Sequence, residues 1–479
     1  MGVHIGLDFG TTNTSAAIYD GKTLQLLPLD PANSRTSGDP RILRTALFMT
    51  RPTPDTNMRS VAYVGREAID RFTAGNVGRV VQYERNYIGS IELELGDIGQ
   101  VLMPMIVEVD LNSPGRLFQS LKSELREGTY IDSNVFGTRY TLESLLAVIL
   151  QQIVERVERI TGDEVEGLVI GRPVHYSDDT EADLMAFTRM QEACRLAGLT
   201  NVSFLEEPTA AALDYTRGLP GEQNVLVFDF GGGTFDVTIM HTDGRGHRNG
   251  SHRNGGHRNG GHRNGGHNTF LASDGVPVGG DVLDKRIVMG KLAKQFGQGA
   301  LMGMDHLPVP NYIFEYLSQW ETIVELSRPE HLRIIQEAVK NSDKPKHLRA
   351  LLALVKENYG LPMYEAVERT KVLLSQQSAG HIQLSMDKML LNAPITRLEF
   401  ERFIGPDARA VEQCLDRALI MAGLTADDID VVLRTGGSSR VPLFEKMLRN
   451  KFGPLKIQDM DAFTSVASGL AVAAWERSR

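Results

Sequence analysis

The sequence predicts an α/β protein built from two related lobes, and three observations support this prediction. The chain has 479 residues, well above the roughly 100–150 residues of a common single domain. Strand-like and helix-like segments alternate along much of its length, which is typical of α/β folds with crossover connections. A strand–turn–strand unit built around Asp-Phe-Gly occurs at residues 3–19 and again at residues 224–240. A unit repeated at such a distance indicates two related lobes rather than a short-period array.

Both Asp-Phe-Gly units are predicted to be β-hairpins with a glycine-bearing turn. In the first, an apolar run over 3–7 leads into DFGTTNT and a second apolar run. In the second, an apolar run over 224–228 leads into DFGGGTFD and a further apolar run. Glycine supplies the backbone freedom that a tight connection between strands requires.

The segments between and after the hairpins supply the remaining elements of an α/β fold. Residues 142–160 carry apolar side chains on one helical face and Glu and Arg on the other, so we expect a helix there. Gly198 ends a second helix, which starts at Thr180. The other expected elements are strands over 167–170 and 202–205, mostly helical structure over 282–380, a helix over 407–422, a strand over 431–433 and a helix over 442–451.

Composition and charge exclude several classes of protein. The formal net charge is −9, which argues against nucleic acid as the main partner. Cys194 and Cys414 are the only cysteines, so a disulfide framework is excluded and a reducing compartment is expected. No apolar stretch reaches the roughly 20 residues of a membrane span. The expected protein is therefore cytoplasmic and has no membrane or nucleic-acid partner.

A low-complexity segment over 244–268 repeats the motif HRNGG and holds five of the twelve histidines. A period of five matches neither helix nor strand and offers no apolar face to bury. We interpret the segment as a flexible basic loop at the tip of a hairpin. Weak binding of zinc or nickel by its imidazoles stays open as an alternative.

The two turns have the residue types of a phosphate site. Successive backbone N–H groups in a glycine-threonine turn form a concavity that binds phosphate oxygens, and threonine hydroxyls add donors without charge. Asp8 and Asp229 stand at the start of the turns, where carboxylates could help to hold Mg²⁺ beside the phosphates. One such turn alone would be an ordinary hairpin. Two copies and a third glycine turn over 436–440 favour a nucleotide site.

Six segments then give a specific resemblance. They are DFGTTNTS, EEPTAAALDY, DFGGGTFDVTI, VGGDVLD, ERTKVLLS and RTGGSSRVP. With them, the chain from residue 5 to about 475 resembles the ATPase domain of the DnaK-type, seventy-kilodalton heat-shock chaperones. More narrowly, it resembles the YegD-type chaperone-like proteins. The resemblance implies the actin-like ATPase fold, with duplicated ribonuclease H-like lobes and ATP with Mg²⁺ in the cleft between them.

The resemblance also implies a division of the chain. Lobe I would comprise residues 1–213 and 430–479, and lobe II would comprise residues 214–429. A full chaperone of this kind continues into a peptide-binding domain. Because the chain ends soon after its ATPase-like part, we expect it to lack that domain.

The resemblance implies roles for individual residues. The phosphates would be held by Gly10, Thr11, Thr12, Asn13, Gly231, Gly232, Gly233 and Thr234. Mg²⁺ would be bound through water by Asp8 and Asp229. The catalytic residues would be Glu207, Asp236, Thr234 and Arg85. The nucleoside and phosphates would also be contacted by Gly279, Gly280, Glu368, Lys371, Ser375, Gly436, Gly437 and Ser438.

Two residues depart from the family pattern. The family has a lysine near the γ-phosphate, and the residue that we match to it is Arg85, whose planar guanidinium could slow hydrolysis. The family usually has an arginine stacking on adenine after the residue matched by Lys371. Here that residue is Val372, so we expect weaker binding of the base.

The sequence thus predicts an ATP-binding, Mg²⁺-dependent ATPase of the heat-shock chaperone type, with protein clients or co-chaperones as possible partners. A nucleotide-gated interaction module with little or no hydrolysis is the alternative, on account of Arg85 and Val372. A small-molecule kinase on the same fold is a third hypothesis.

Overall fold

A computed structural model of the chain describes residues 2–36, 38–95, 99–177, 179–216, 221–242, 268–461 and 464–479. Apart from Asn268, the HRNGG segment lies outside these residues, so its predicted loop remains a prediction.

The strands agree with every strand expected from the sequence and add others in both halves of the chain. They are β1 Val3–Phe9, β2 Asn13–Tyr19, β3 Leu24–Leu26, β4 Leu43–Arg44, β5 Ala46–Thr50, β6 Ala62–Val64, β7 Tyr83–Leu95, β8 Gly99–Asp110, β9 Gly115–Gln119, β10 Asp132–Val135, β11 Thr138–Thr141, β12 Val165–Arg172, β13 Val202–Glu206, β14 Gln223–Phe230, β15 Phe235–Thr242, β16 Asn268–Val276, β17 Leu301–Met302, β18 Leu307–Pro308, β19 Ala379–Met386, β20 Met389–Thr396, β21 Val431–Thr435 and β22 Ile457–Asp459.

The predicted helices are also confirmed. The α-helices are α1 Arg66–Asn76, α2 Leu142–Thr161, α3 Thr180–Leu196, α4 Glu207–Thr216, α5 Gly280–Ile287, α6 Ala293–Gln295, α7 Tyr312–Glu315, α8 Trp320–Ile323, α9 Pro329–Asn341, α10 Pro345–Lys356, α11 Gly360–Gln376, α12 Arg397–Phe403, α13 Gly405–Ala422, α14 Pro442–Phe452 and α15 Ser465–Arg477. A π-helical turn, Val288–Leu292, joins α5 to α6. The 3-10 helices include Leu121–Arg126 and Gly437–Arg440.

Two sheets share one topology, which explains the repeated sequence unit. In the first sheet, β1, β2 and β3 form an antiparallel meander, and β12 and β13 continue the sheet in parallel beyond β1. In the second sheet, β14, β15 and β16 form the meander, and β21 and β22 continue it in parallel beyond β14. Each Asp-Phe-Gly motif therefore ends the central strand of its sheet.

The assignment of residues 430–459 to lobe I is wrong in terms of strand pairing. Val225 pairs with Val431 and Asp229 with Thr435, so β21 hydrogen-bonds to the second sheet. Helix α14 contributes Phe444 and Leu448 to the same apolar core as β14 and β15. Of the stretch that we assigned to lobe I, helix α15 is the part that packs on β1 and β2.

Helices α4 and α15 join the two sheets. Ala210 on α4 and Leu470 on α15 belong to an apolar cluster that includes Val169 from the first sheet and Val227 from the second. Both helices are rich in small residues, which permits close packing: a Cβ on Gly469 would collide with the carbonyl group of Ala210. The carboxyl ends of β1 and β14 are thereby held near each other. Within the described residues, no helix combines the length and apolar character needed to cross a bilayer.

Candidate functional site

The first glycine turn connects β1 to β2 and is fixed by hydrogen bonds from a neighbouring strand segment. Asp8 pairs with Ser15 in the hairpin, and residues 10–12 form its turn. The hydroxyl of Thr45 donates to the carbonyl oxygen of Gly10 at 2.9 Å and lies 2.9 Å from the hydroxyl of Thr14. Thr12 Oγ1 is buried and has no hydrogen-bond partner among the described residues. These hydrogen bonds hold the turn in place, and Thr12 Oγ1 is left without a partner among the described residues.

The second turn lies directly against the first. Asp229 pairs with Asp236 across β14 and β15, and the hydroxyl of Thr234 donates to Asp236 Oδ2 at 2.8 Å. A Cβ on Gly232 would collide with Oγ1 and Cβ of Thr12. Glycine is required at this position because a larger residue would separate the two turns.

The other two predicted glycine segments pack against the second turn. The backbone N–H of Gly280 donates to the carbonyl oxygen of Gly231 at 3.0 Å, and the hydroxyl of Ser438 donates to the same oxygen at 3.0 Å. Gly436 has φ +78°, a conformation that favours glycine. The segments over 279–280 and 436–438 therefore meet at the carbonyl oxygen of Gly231, in the turn over 231–234.

Two ion pairs fix the face of α11 that carries Glu368, Lys371 and Ser375. Arg44 donates to both carboxylate oxygens of Glu368, at 2.9 and 2.7 Å. Lys371 donates to Asp284 Oδ2 at 2.7 Å and to the carbonyl oxygen of Gly280 at 2.9 Å. Burial opposes the charge of Glu368, but Arg44 and Lys371 outweigh it and hold the pKa of that carboxyl below its usual value. Ser375 lies one turn further along, and its hydroxyl donates to the carbonyl oxygen of Lys371 at 3.4 Å.

All of these parts surround one cavity of about 900 Å³. The predicted residues that line it are Asp8, Gly10, Thr11, Thr12, Asn13, Glu207, Asp229, Gly231, Gly232, Gly233, Thr234, Asp236, Gly280, Glu368, Lys371, Ser375, Gly436, Gly437 and Ser438. Among the described residues, the lining includes neither Gly279 nor Arg85. Gly279 still touches the site, because a Cβ there would collide with the backbone of Gly232.

Four carboxylates share the floor of this cavity and perturb one another. Burial, reinforced by the charge of Glu207, raises the pKa of Asp8 to about 7. Burial also raises the pKa of Asp236 to about 6, although the hydrogen bond from Thr234 works in the opposite direction. Burial and the charges of Glu207, Asp236 and Asp8 raise the pKa of Asp229 well above its usual range. Such a cluster needs positive charge to be fully ionised at neutral pH.

Lys122 lines this floor and Arg85 does not, which corrects the sequence prediction. Lys122 is 8% exposed, and its Nζ lies 2.7 Å from Glu207 Oε1. Burial opposes its charge, but Glu207 and other neighbours raise the pKa of the ammonium above its usual value. Arg85 lies on the exposed part of β7, where it pairs with Glu108.

Lys122 was missed because Arg85, which stands shortly before Ile88-Gly89, was matched to the family's lysine. Arg85 belongs to the hairpin of β7 and β8, whereas Lys122 follows β9. A usable signal did exist: Lys22 and Lys122 are the only lysines before Lys285. Other lining residues were also missed, among them Arg440 and Tyr176.

The cavity fits a nucleotide with Mg²⁺. The unpartnered hydroxyl of Thr12 and the backbone of two glycine turns suit phosphate oxygens, and the volume lies at the upper end of ordinary ligand pockets, roughly 300–1,000 Å³. Among the described residues, no three His, Cys, Asp or Glu side chains are grouped so that they could hold a metal ion by themselves. Mg²⁺ keeps several waters and binds through one or two carboxylates with substrate phosphates, which Asp8 and Asp229 could provide.

Comparison with known proteins agrees with this geometry. A family profile described as Hsp70 protein matches residues 113–264 and 355–475, which together make up more than half of the chain. The chain is 26% identical over 491 residues to the chaperone protein DnaK of Thermus thermophilus, covering 99% of this chain and 61% of the relative. It is 24% identical over 477 residues to the chaperone protein dnaK of Cyanidioschyzon merolae, covering 98% and 61%. It is 25% identical over 482 residues to the chaperone protein DnaK 1 of a Synechococcus strain, covering 99% and 50%.

The chain therefore spans between half and about three-fifths of the length of these curated relatives. The matched segments include the second Asp-Phe-Gly hairpin, the face of α11 and the third glycine turn. The mixed α/β architecture with two like sheets is the actin-like ATPase fold that the family implies. On this match, the chain belongs to the Hsp70 family.

Proposed function

We propose that the chain is an ATP-binding, Mg²⁺-dependent ATPase of the Hsp70 type. The observation that carries the proposal is the direct contact between the two glycine turns beside the pair of Lys122 and Glu207. A triphosphate held between the turns would place its terminal phosphate at this pair. The 2.7 Å contact fixes an ammonium where negative charge develops during phosphoryl transfer.

In this proposal each predicted residue keeps a role, except Arg85. The turns over 10–13 and 231–234 bind the phosphates, and Lys371 with Glu368 and Ser375 faces the nucleoside. The glycines of the segments over 279–280 and 436–437, with Ser438, let the ligand approach the backbone. Arg440 adds an exposed cation beside the base, where Val372 offers only a methyl-bearing side chain.

The chemical step is the attack of water on the γ-phosphorus. A P–O bond forms to the water oxygen, the bond to the bridging oxygen breaks, and ADP leaves with that electron pair. Asp236 is suited to accept the proton of the water, because a pKa of about 6 lies near the operating pH of a general base. Thr234 orients Asp236 through its 2.8 Å hydrogen bond. When bound, Mg²⁺ would neutralise phosphate charge, and Asp8 and Asp229 would hold it through water.

The finer features of the family stay within this proposal. We propose two lobes, the first of residues 1–213 with helix α15, and the second of residues 214–459 with β21 and β22. A YegD-type protein located in the cytoplasm remains our hypothesis. The relatives are named chaperones, and we propose protein clients or co-chaperones as partners on that basis.

Calorimetry with ATP and Mg²⁺ tests nucleotide binding. We expect heat of binding at micromolar to millimolar nucleotide, and no binding at millimolar levels would reject the proposal. Asp229→Ala and Glu207→Ala test the floor of the cavity. Each is expected to reduce phosphate release by at least about tenfold, and unchanged turnover in both would remove their assigned roles.

The alternative function is a nucleotide-gated interaction module with little or no hydrolysis. Val372, with 57% of its surface exposed at the cavity, favours it, whereas the argument from Arg85 no longer applies. Nucleotide-dependent protection from protease without phosphate release would support this alternative. A small-molecule kinase would gain support only if a metabolite accepted the phosphate in a substrate screen.

A further inference from the structure

A second cavity, of about 150 Å³, lies apart from the nucleotide cavity and shares no lining residue with it. One wall comes from α1 and the end of β8 and includes Phe72, Arg79 and Asp110. The other wall comes from α8, α10 and α11 and includes Trp320 and Glu321. The second cavity therefore lies where two parts of the chain, more than 200 residues apart, meet.

Hydrogen bonds between the two walls hold this cavity open at a fixed size. The side-chain amide of Asn358 donates to the carbonyl oxygens of Asn76 at 3.1 Å and of Arg79 at 2.6 Å. The backbone N–H of Gly78 donates to the carbonyl oxygen of Glu357 at 2.9 Å. A protein cavity of about this volume can hold a ligand of the size of benzene, so the second cavity has room for a small organic molecule.

One charge at the second cavity is not neutralised. Arg79 donates to both carboxylate oxygens of Asp110, each at 2.7 Å, so these two charges cancel. Glu321 forms no ion pair with any of the described residues. Part of Glu321 reaches solvent, but burial raises the pKa of its carboxyl to about 7. An ionised Glu321 therefore leaves the cavity with a negative charge that water solvates incompletely.

The remaining lining is aromatic and aliphatic. The rings of Phe72 and Trp320 meet edge to face with centroids 5.7 Å apart, and Ile323, Val355 and Leu361 also line the cavity. Aromatic rings attract an organic cation within about 6 Å of the ring centroid. Apolar walls cannot replace the water shell of a metal ion, but they suit the alkyl groups of an alkylated ammonium.

We propose that the second cavity binds a small alkylammonium ion, with Glu321 as its counter-ion and Trp320 and Phe72 as its aromatic wall. Tetramethylammonium and choline are cations of a suitable size. The same chemistry occurs in free cations and in a methylated lysine side chain of a partner, and the experiment below distinguishes these sources. The proposal does not depend on nucleotide binding or hydrolysis.

Trp320 can report binding at this cavity directly. The chain has two tryptophans, Trp320 and Trp475, so Trp475→Phe leaves Trp320 as the only one. Choline chloride is titrated into this variant, with potassium chloride at equal ionic strength as the control for screening. We expect a saturable change in fluorescence at millimolar choline. The uncharged isostere of choline, in which carbon replaces nitrogen, should bind at least about tenfold more weakly because it lacks the charge.

A peptide that carries trimethyllysine is titrated in the same way. Tighter binding of the peptide than of choline would identify a partner's side chain as the source of the cation. Tighter binding of choline would identify a free cation. Absence of saturable binding of both at millimolar concentrations would overturn the proposal.

Glu321→Gln tests the counter-ion, because it removes the charge and keeps the shape of the side chain. We expect it to weaken choline binding by at least about tenfold. Glu330→Gln is the matched control, because Glu330 is exposed on α9 and lies outside the cavity lining. Calorimetry on both variants with Trp475 retained gives the same comparison if Trp475→Phe fails to fold. Equal affinities of the two variants for choline, or equal affinity of the protein for choline and its uncharged isostere, would overturn the proposal.

Discussion

Arg44 and Glu368 lie 324 residues apart in the chain and form a two-point ion pair beside the cavity. Arg44 belongs to β4, next to the first glycine turn, and its guanidinium also lies 3.3 Å from Asn13 Oδ1. Glu368 lies on α11, whose apolar residues belong to the core of the second sheet. The pair therefore connects the two sides of the cavity. Arg66 on α1 forms a second ion pair with α11, through Glu365.

We expect Arg44→Gln and Glu368→Gln to be coupled energetically. Their side chains are only 20% and 35% exposed, so the pair is screened less than a surface pair. A double-mutant cycle in urea unfolding should give a coupling of about 1–2 kcal/mol. Arg71→Gln with Glu67→Gln is the control, because that pair is 49% and 45% exposed on α1 and should couple by about 0.5 kcal/mol or less. Equal coupling energies in both cycles would contradict the conclusion that the pair of Arg44 and Glu368 is stronger than a surface pair.

Lys122→Met should abolish most hydrolysis, whereas Arg85→Met should leave it unchanged. Removal of a cation that stabilises the transition state costs about 100- to 1,000-fold in rate, and Arg85 lies exposed on β7 outside the cavity lining. The measurement is steady-state phosphate release, with circular dichroism to check folding. Since Lys122→Met leaves Glu207 without its partner, Lys122→Met with Glu207→Gln provides a second variant without the unpaired charge. A large loss in Arg85→Met with normal activity in Lys122→Met would restore the sequence prediction.

Gly232→Ala should weaken nucleotide binding by at least about tenfold. The added Cβ would collide with Thr12, so the two turns must separate and the phosphates lose donors from one of them. Gly128→Ala is the matched control, because its nearest atom to a new Cβ is Met185 Cε at 3.9 Å. Both dissociation constants can be measured by titration of a fluorescent ATP analogue. Similar affinity of the two variants for the ATP analogue would show that the two glycine turns do not bind the nucleotide together.

Glu399 should stabilise the protein in a pH-dependent way. It completes a capping box with Thr396 at the start of α12, and hydrogen bonds from Lys291 and Thr396 lower the pKa of its carboxyl to about 2. Because the folded pKa lies below the unfolded value of 4.5, its contribution is fully present above pH 4.5 and is lost as the pH falls towards 2. Glu399→Gln should cost about 0.5–1 kcal/mol of unfolding free energy at pH 7.

Unfolding in urea from pH 7 down to pH 4 can follow this effect. The difference between Glu399→Gln and the unaltered protein should stay constant to about pH 5 and then begin to shrink. A difference that grows on acidification would have the wrong sign for a depressed pKa.

The elements that sequence reasoning predicted correctly are those encoded by local periodicity. The apolar face over 142–160 became α2, and both Asp-Phe-Gly units became hairpins with the expected turns. The predicted glycines and Lys371 could be identified because each lies within a short family motif. Each of these features depends on residues within one element or one turn.

The errors concern long-range pairing, which no local string encodes. Strand β21 joins β14 although about 200 residues separate them, and nothing in its own sequence indicates which sheet it enters. Lys122 lies after the hairpin of β7 and β8, and the match of Arg85 before Ile88-Gly89 pointed to that hairpin instead. The role of Lys122 depends on Glu207, which approaches it only in the folded protein.

The packing of α15 on β1 also has a consequence for synthesis of the protein. Strand β1 leaves the ribosome well before the helix that covers it, which begins about 450 residues later. At about 5–20 residues per second, the interval between the two is roughly 25–90 s. During that time Gly6 lacks the helix backbone against which it packs, and the apolar face of the first sheet stays uncovered on the nascent chain. A member of a chaperone family thus depends, for the covering of one of its own strands, on a helix that is made much later.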